Sequence, residues 1–103
     1  MIPTSIIFFN LNATLGSLRS MFTIYTKSDC VYCTKVKALL PDAVVIDCDD
    51  RLLQDRPGFL REMEARIGRP YRMFPMVFLD DQFLGGYEET KAYLAVINFT
   101  EDF

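Results

Sequence analysis

Histidine and tryptophan are absent from the 103 residues, and cysteine occurs only three times. Without imidazole, the usual general base near neutral pH is missing, so a nucleophile in this chain must be activated electrostatically. Three thiols and no imidazole also fall short of the four ligands that a structural zinc site takes from one chain. The odd cysteine count argues against a secreted disulfide framework. No apolar run approaches the ~20 residues of a membrane-spanning helix, and residues 1–20 lack the basic start of a secretory signal. A cytoplasmic protein without a membrane partner is therefore expected. Its basic residues are scattered and its net charge is −3, which points away from nucleic acid and from anionic membrane surfaces. The length suits one small domain, and a hydrophobic content of 50% suffices for a core without disulfide staples.

What is present is concentrated in residues 22–33. Phe22-Thr23-Ile24-Tyr25-Thr26 is apolar, β-branched and aromatic, and reads as a buried strand that stops at Lys27-Ser28-Asp29. Cys30-Val31-Tyr32-Cys33 follows, and residues 31–40 read as a helix ended by Pro41-Asp42. Cys33, Val36 and Leu40 recur at i, i+3 and i+7, so the second cysteine faces the core while Lys35 and Lys37 lie on the other side. Cys30 then sits at a helix N-terminus, where free N–H groups and the helix dipole favour a thiolate. A cysteine pair at this spacing beside a β-α-β pattern points to thiol–disulfide chemistry.

Residues 1–20 carry no hydrophobic period and are expected to be a dispensable extension, with Met21 an alternative translation start and the domain at 21–103. Residues 43–48 form a second strand, apolar at consecutive positions and so expected to be covered on both faces. The helix between the strands makes a β-α-β unit, closed by Asp49-Asp50, whose crossover is right-handed by rule. A second helix opens at Asp55 as N-cap, with Pro57 in its first turn, Phe59, Leu60, Met63 and Ile67 as its apolar stripe, and Gly68 and Pro70 at its end. Residues 76–79 and 82–84 read as a hairpin around Asp80-Asp81 that lacks the usual glycine. Gly85-Gly86 leads into a last helix over 87–97, with Glu88 and Glu89 in its first turn. The order is β-α-β-α-β-β-α, without repeats or linkers. Two Asn-x-Thr sequons, at Asn12 and Asn98, are chance matches in a reducing compartment.

Three blocks together, Thr26 to Cys33, then Phe74-Pro75, then Gly85-Gly86-Tyr87-Glu88-Glu89, resemble a dithiol glutaredoxin over residues 21–97. The resemblance implies an α/β, thioredoxin-like fold: a four-stranded mixed sheet flanked by about three helices. It implies a glutathione-dependent thiol–disulfide oxidoreductase that uses glutathione as co-substrate, needs no metal and acts as a monomer. Cys30 would be the attacking thiolate and Cys33 the resolving thiol that closes a disulfide. Pro75 would be cis, with Phe74 presenting backbone groups to an extended thiol peptide. Tyr32 would flank glutathione. Gly86, Tyr87 and the helix start would take its γ-glutamyl carboxylate, and Glu88 its ammonium. Lys27 and Arg72 would pair with its glycine carboxylate.

Three departures from the family pattern qualify this resemblance. Val31 replaces a commoner proline, Met73-Phe74 replaces Thr-Val ahead of Pro75, and glutamates replace the usual aspartates after Gly86. The larger Met73 and Phe74 side chains are expected to narrow or reshape the groove. Expected substrates are glutathionylated and disulfide-bonded proteins, with ribonucleotide reductase one family example. Regeneration by thioredoxin reductase is the alternative. A glutathione-dependent iron–sulfur cluster carrier is a further one, against which Tyr32 and Cys33 argue. Cys48 matches no motif and is expected to be an inert core thiol.

Overall fold

β1 (Phe22–Thr26) lies inside the sheet because its β-branched and aromatic residues have cover on both sides. In the computed structural model, which describes residues 21–101, it is followed by α1 (Val31–Leu39), β2 (Val44–Asp47) and α2 (Asp49–Ile67). β3 (Met76–Leu79), β4 (Gln82–Gly85) and α3 (Tyr87–Glu101) complete the order read from the sequence. The sheet order is β2-β1-β3-β4, with β1 parallel to β2 and antiparallel to β3, and β4 antiparallel to β3. The expected extension, residues 1–20, lies outside the described residues.

Alternation along the two inner strands makes a core on each face of the sheet. Ile24 pairs with Val77, and both pack with Val36 and Leu40 of the α1 segment and Leu94 of α3. Tyr25 pairs with Met76, and both pack on the opposite face with Phe78 and with Phe59 and Met63 of α2. The expected core positions Cys33, Val36 and Leu40 are buried, as are Phe59 and Met63.

Two expectations are corrected. The consecutive apolar run of β2 predicts cover on both faces, yet Val44, Val45 and Ile46 are exposed, because β2 forms the outer edge of the sheet and the helices centre on β1 and β3. A consecutive apolar run fits an edge strand as well as a central one. The sequence predicts that the second helix opens at Asp55, but helix begins at Asp49. Asp55, at φ −156° and ψ 72°, breaks it into two segments. Its Oδ1 accepts the Gly58 N–H at 3.1 Å, so Asp55 does cap the second segment. The first segment shows no apolar stripe in the sequence because Leu52 is its only apolar side chain packed against the core.

The hairpin without glycine is explained by Asp80, which takes φ 55° at a two-residue turn. Asp80 is also tied to the start of β1. Its N–H donates to Met21 O at 2.8 Å, and its Oδ1 accepts the Met21 N–H at 3.0 Å.

Candidate active site

Between β1 and α1 the chain turns through Lys27-Ser28-Asp29, with Asp29 at φ 54°, a region that aspartate tolerates better than most residues. The Ser28 N–H donates to Asp49 Oδ1 at 2.9 Å, and the Asp49 N–H donates to Asp47 Oδ1 at 2.9 Å. The Cys48 N–H donates to Thr26 O at 2.8 Å. The start of α2 therefore holds the loop that delivers Cys30. Sequence reasoning missed Asp47 and Asp49 in this role. The available signal was a run of short carboxylates directly after a strand, where they cap free N–H groups.

Cys30 is the N-cap of α1, and its sulfur accepts the Cys33 N–H at 3.2 Å. Cys30 and Cys33 form a disulfide with Cα atoms 5.2 Å apart, so this is the oxidised form. Cys33 is buried and Cys30 only partly so, an asymmetry that leaves one sulfur reachable by an external thiol. The Cys30 sulfur lies 3.7 Å from Phe74 O, and the Phe74–Pro75 peptide is cis. Phe74 stacks on Phe59 with ring centroids 6.4 Å apart, so α2 backs this wall as well.

A cleft of about 300 Å³ opens beside this pair. Of the residues named from the sequence it gathers Tyr32, Phe74, Pro75, Gly86, Tyr87 and Glu88. Met73, expected to shape the groove, and Glu89 of the third block also line it, and Tyr71, which the sequence reading did not name, joins them. Arg72 lines a separate notch with Arg61 and Glu64, while Lys27 stays in the 27–29 loop; neither lines the cleft. The Tyr32 and Tyr87 rings lie 5.5 Å apart, with Lys35 Nζ 5.2 Å and 5.7 Å from their centroids, and together form a cationic, aromatic rim.

The far wall is crowded around Gly86. A Cβ built there would stand 3.4 Å from the Tyr71 hydroxyl, 3.5 Å from Pro75 O and 3.6 Å from Glu89 Oε1. Gly86 donates its N–H to Glu89 Oε1 at 2.9 Å, whereas Glu88 points to Lys91 at 3.9 Å. Both glutamates line the cleft but differ in partner: Glu89 caps Gly86, and Glu88 pairs with Lys91. Burial, and after it the Glu89 charge, pushes the Tyr71 hydroxyl above its ordinary pKa of 10.0, with Arg69 acting in the opposite sense. The remaining thiol, Cys48, is buried, and its pKa is pushed up from 9.0 to about 11, chiefly by desolvation.

A cysteine pair in disulfide form at a strand–helix junction, a cis-proline beside it and a four-stranded mixed sheet behind define a thiol–disulfide oxidoreductase of thioredoxin-like fold. The glutaredoxin family model matches residues 22–84, which span all of the sheet except its last residue, and the chain belongs to the glutaredoxin family. It is similar to glutaredoxin 1 of Rickettsia bellii, 30% identical over 67 residues that cover 64% of this chain and 68% of that one. Among solved structures, glutaredoxin 1 of Francisella tularensis, complexed with cacodylate, is 28% identical with a TM-score of 0.60, over 77% of this chain and 96% of that one. A buckwheat glutaredoxin–glutathione complex shares the fold at 21% identity and a TM-score of 0.55, over 71% of this chain and 66% of that one.

Proposed function

We propose that the protein is a glutathione-dependent oxidoreductase that reduces glutathione mixed disulfides and protein disulfides through Cys30 and Cys33. The observation that carries this reading is the cleft beside Cys30, bounded by the cis-Pro75 backbone on one side and by Gly86 and the start of α3 on the other. Its size and its combination of apolar walls with a few polar groups suit a small thiol peptide.

In the reduced protein the Cys30 thiolate attacks the glutathionyl sulfur of a mixed disulfide. The protein thiol leaves and Cys30 becomes glutathionylated. A second glutathione thiolate then attacks that sulfur, releasing oxidised glutathione and restoring Cys30. For a protein disulfide, Cys30 attacks first and Cys33 then displaces the substrate thiol, leaving the Cys30–Cys33 disulfide seen in the structure. Two glutathiones reduce that disulfide and leave as one oxidised glutathione. In this reading Tyr32 and Tyr87 flank the tripeptide, Phe74 and Pro75 pair with its backbone, and Gly86 with the α3 N-terminus receives the γ-glutamyl end. Glu88 and Glu89 are the acids available to its ammonium, and Lys27 and Arg72 are cations for its glycine carboxylate. Glutathionylated proteins, and disulfide-forming reductases such as ribonucleotide reductase, are the substrate class, and the cytoplasm is the setting.

A glutathione-coupled assay with single cysteine variants tests this. Cys30→Ser is expected to abolish all turnover, while Cys33→Ser keeps removal of glutathione from a mixed disulfide and loses reduction of a protein disulfide. Cys30→Ser with full activity would sink the reading. Reduction of the oxidised protein by thioredoxin reductase, but not by glutathione, would replace the proposed electron donor.

A further inference from the structure

Both backbone polar groups of Gly86 are already committed. Gly86 N–H is bound to Glu89 Oε1, and Gly86 O receives the Thr90 N–H at 3.0 Å. Two side-chain hydroxyls nearby are uncommitted: Thr90 Oγ1, which is sealed from solvent, and the Tyr71 hydroxyl, whose residue lines the cleft. The Tyr71 hydroxyl reaches the cleft from the 69–74 loop and stands 3.4 Å from where a Gly86 Cβ would be. Among the described residues it has no hydrogen-bond partner.

The ring behind it is held in place. Phe83 meets it edge-on with centroids 4.8 Å apart, and the Arg69 guanidinium lies 5.3 Å from its centroid. A half-buried phenol fixed by packing, with an open hydrogen bond and a cleft in front of it, is prepared for an acceptor that arrives with the ligand. Its hydroxyl keeps its proton well above neutral pH, so it acts as a donor.

We propose that Tyr71 is a substrate-binding residue whose hydroxyl donates to the γ-glutamyl carboxylate of a glutathionyl substrate. This rests on the glutathione reading above and assigns one more residue to it. The choice of that end follows from position. The hydroxyl faces Gly86, which immediately precedes the N-terminus of α3, and helix N-termini draw carboxylates. Glu89 stands beside it, so an incoming group there meets a hydroxyl donor and a carboxylate acceptor together, matching the carboxylate and ammonium of a γ-glutamyl unit.

Tyr71→Phe removes only the oxygen and leaves the ring on Phe83 and Arg69, so its urea midpoint serves as a folding control. Steady-state turnover is compared on two mixed disulfides of one cysteinyl peptide, one carrying glutathione and the other cysteinylglycine, which lacks the γ-glutamyl unit. The expected result is a KM for the glutathione substrate raised roughly fivefold with kcat unchanged, as losing one hydrogen bond implies, and no change for cysteinylglycine. Titration of the reduced proteins with S-methylglutathione is expected to show a matching loss of affinity. An unchanged KM on the glutathione substrate, or an equal rise on both substrates, overturns the assignment. If the unsubstituted protein does not prefer the glutathione substrate, the glutathione reading falls and takes Tyr71 with it. If it discriminates and Tyr71→Phe discriminates equally, Tyr71 alone is excluded.

Discussion

At the scale of single residues, the carboxylates at the start of α2 are the least visible part of the site and the most directly testable. Asp49→Ala removes the acceptor of the Ser28 N–H, two residues before Cys30. It is expected to cost about 1 kcal/mol of stability in urea unfolding and to lower the turnover of Cys30, while Asp49→Asn, which keeps an acceptor, recovers most of both. Cys48 behaves in the opposite way, as a thiol kept from reacting. Because burial lifts its pKa from 9.0 to about 11, the folded state prefers the protonated form. The resulting stabilisation is complete below pH 9.0 and is lost as pH rises towards and through about 11. Urea midpoints are expected to fall across that window, and Cys48→Ala to flatten the slope. In the folded protein at neutral pH an alkylating reagent is expected to leave Cys48 untouched until denaturant is added.

At the scale of elements, the strands and helices were legible wherever one face is buried. β1, β3 and α1 carry apolar residues whose spacing matches the core they join, and all three stand where their periodicity put them. β2 did not follow, because apolar side chains report a preference for extended structure and not the strand's rank in the sheet. A contrast of two valines measures the difference. Val45→Thr at the exposed edge is expected to change stability by under about 0.5 kcal/mol, and Val36→Ala on the buried face of α1 to cost roughly 2 kcal/mol. Comparison of chemical unfolding curves checks both. In α2 the kink at Asp55 is local chemistry that the sequence did announce, since an aspartate followed by Pro57 and Gly58 caps a helix. Asp55→Ala is expected to cost about 1 kcal/mol. What the sequence hid is the preceding turn of helix, whose residues are mostly exposed and whose purpose lies in the loop it holds.

At the scale of the whole molecule, α2 links the two walls of the site. Its first turn anchors the loop before Cys30, and Phe59 in its second segment backs Phe74 beside the cis-proline. The Arg51–Glu62 bridge at 2.6 Å joins the segments across the kink. Phe59→Ala is accordingly expected to cost about 3–5 kcal/mol and also to raise KM for a mixed-disulfide substrate, because Phe74 loses the surface it rests on. A milder Phe59→Leu keeps the molecule folded for that measurement. The sequence by itself determined the order of elements, the placement of Cys30 at a helix start with Cys33 turned inward, and the family, which the blocks at 26–33, 74–75 and 85–89 resemble and whose model matches residues 22–84. These follow from local rules: side-chain period, capping and turn chemistry act over a few residues. Only the tertiary structure decided that β2 is an edge, that Asp49 steadies the cysteine loop, that Glu89 turns to Gly86 while Glu88 turns to Lys91, and that Tyr71 stands in the cleft with its hydroxyl open. Apart from the turn of the two glutamates at one helix start, each depends on which distant segment arrives opposite, and no local pattern encodes that neighbour.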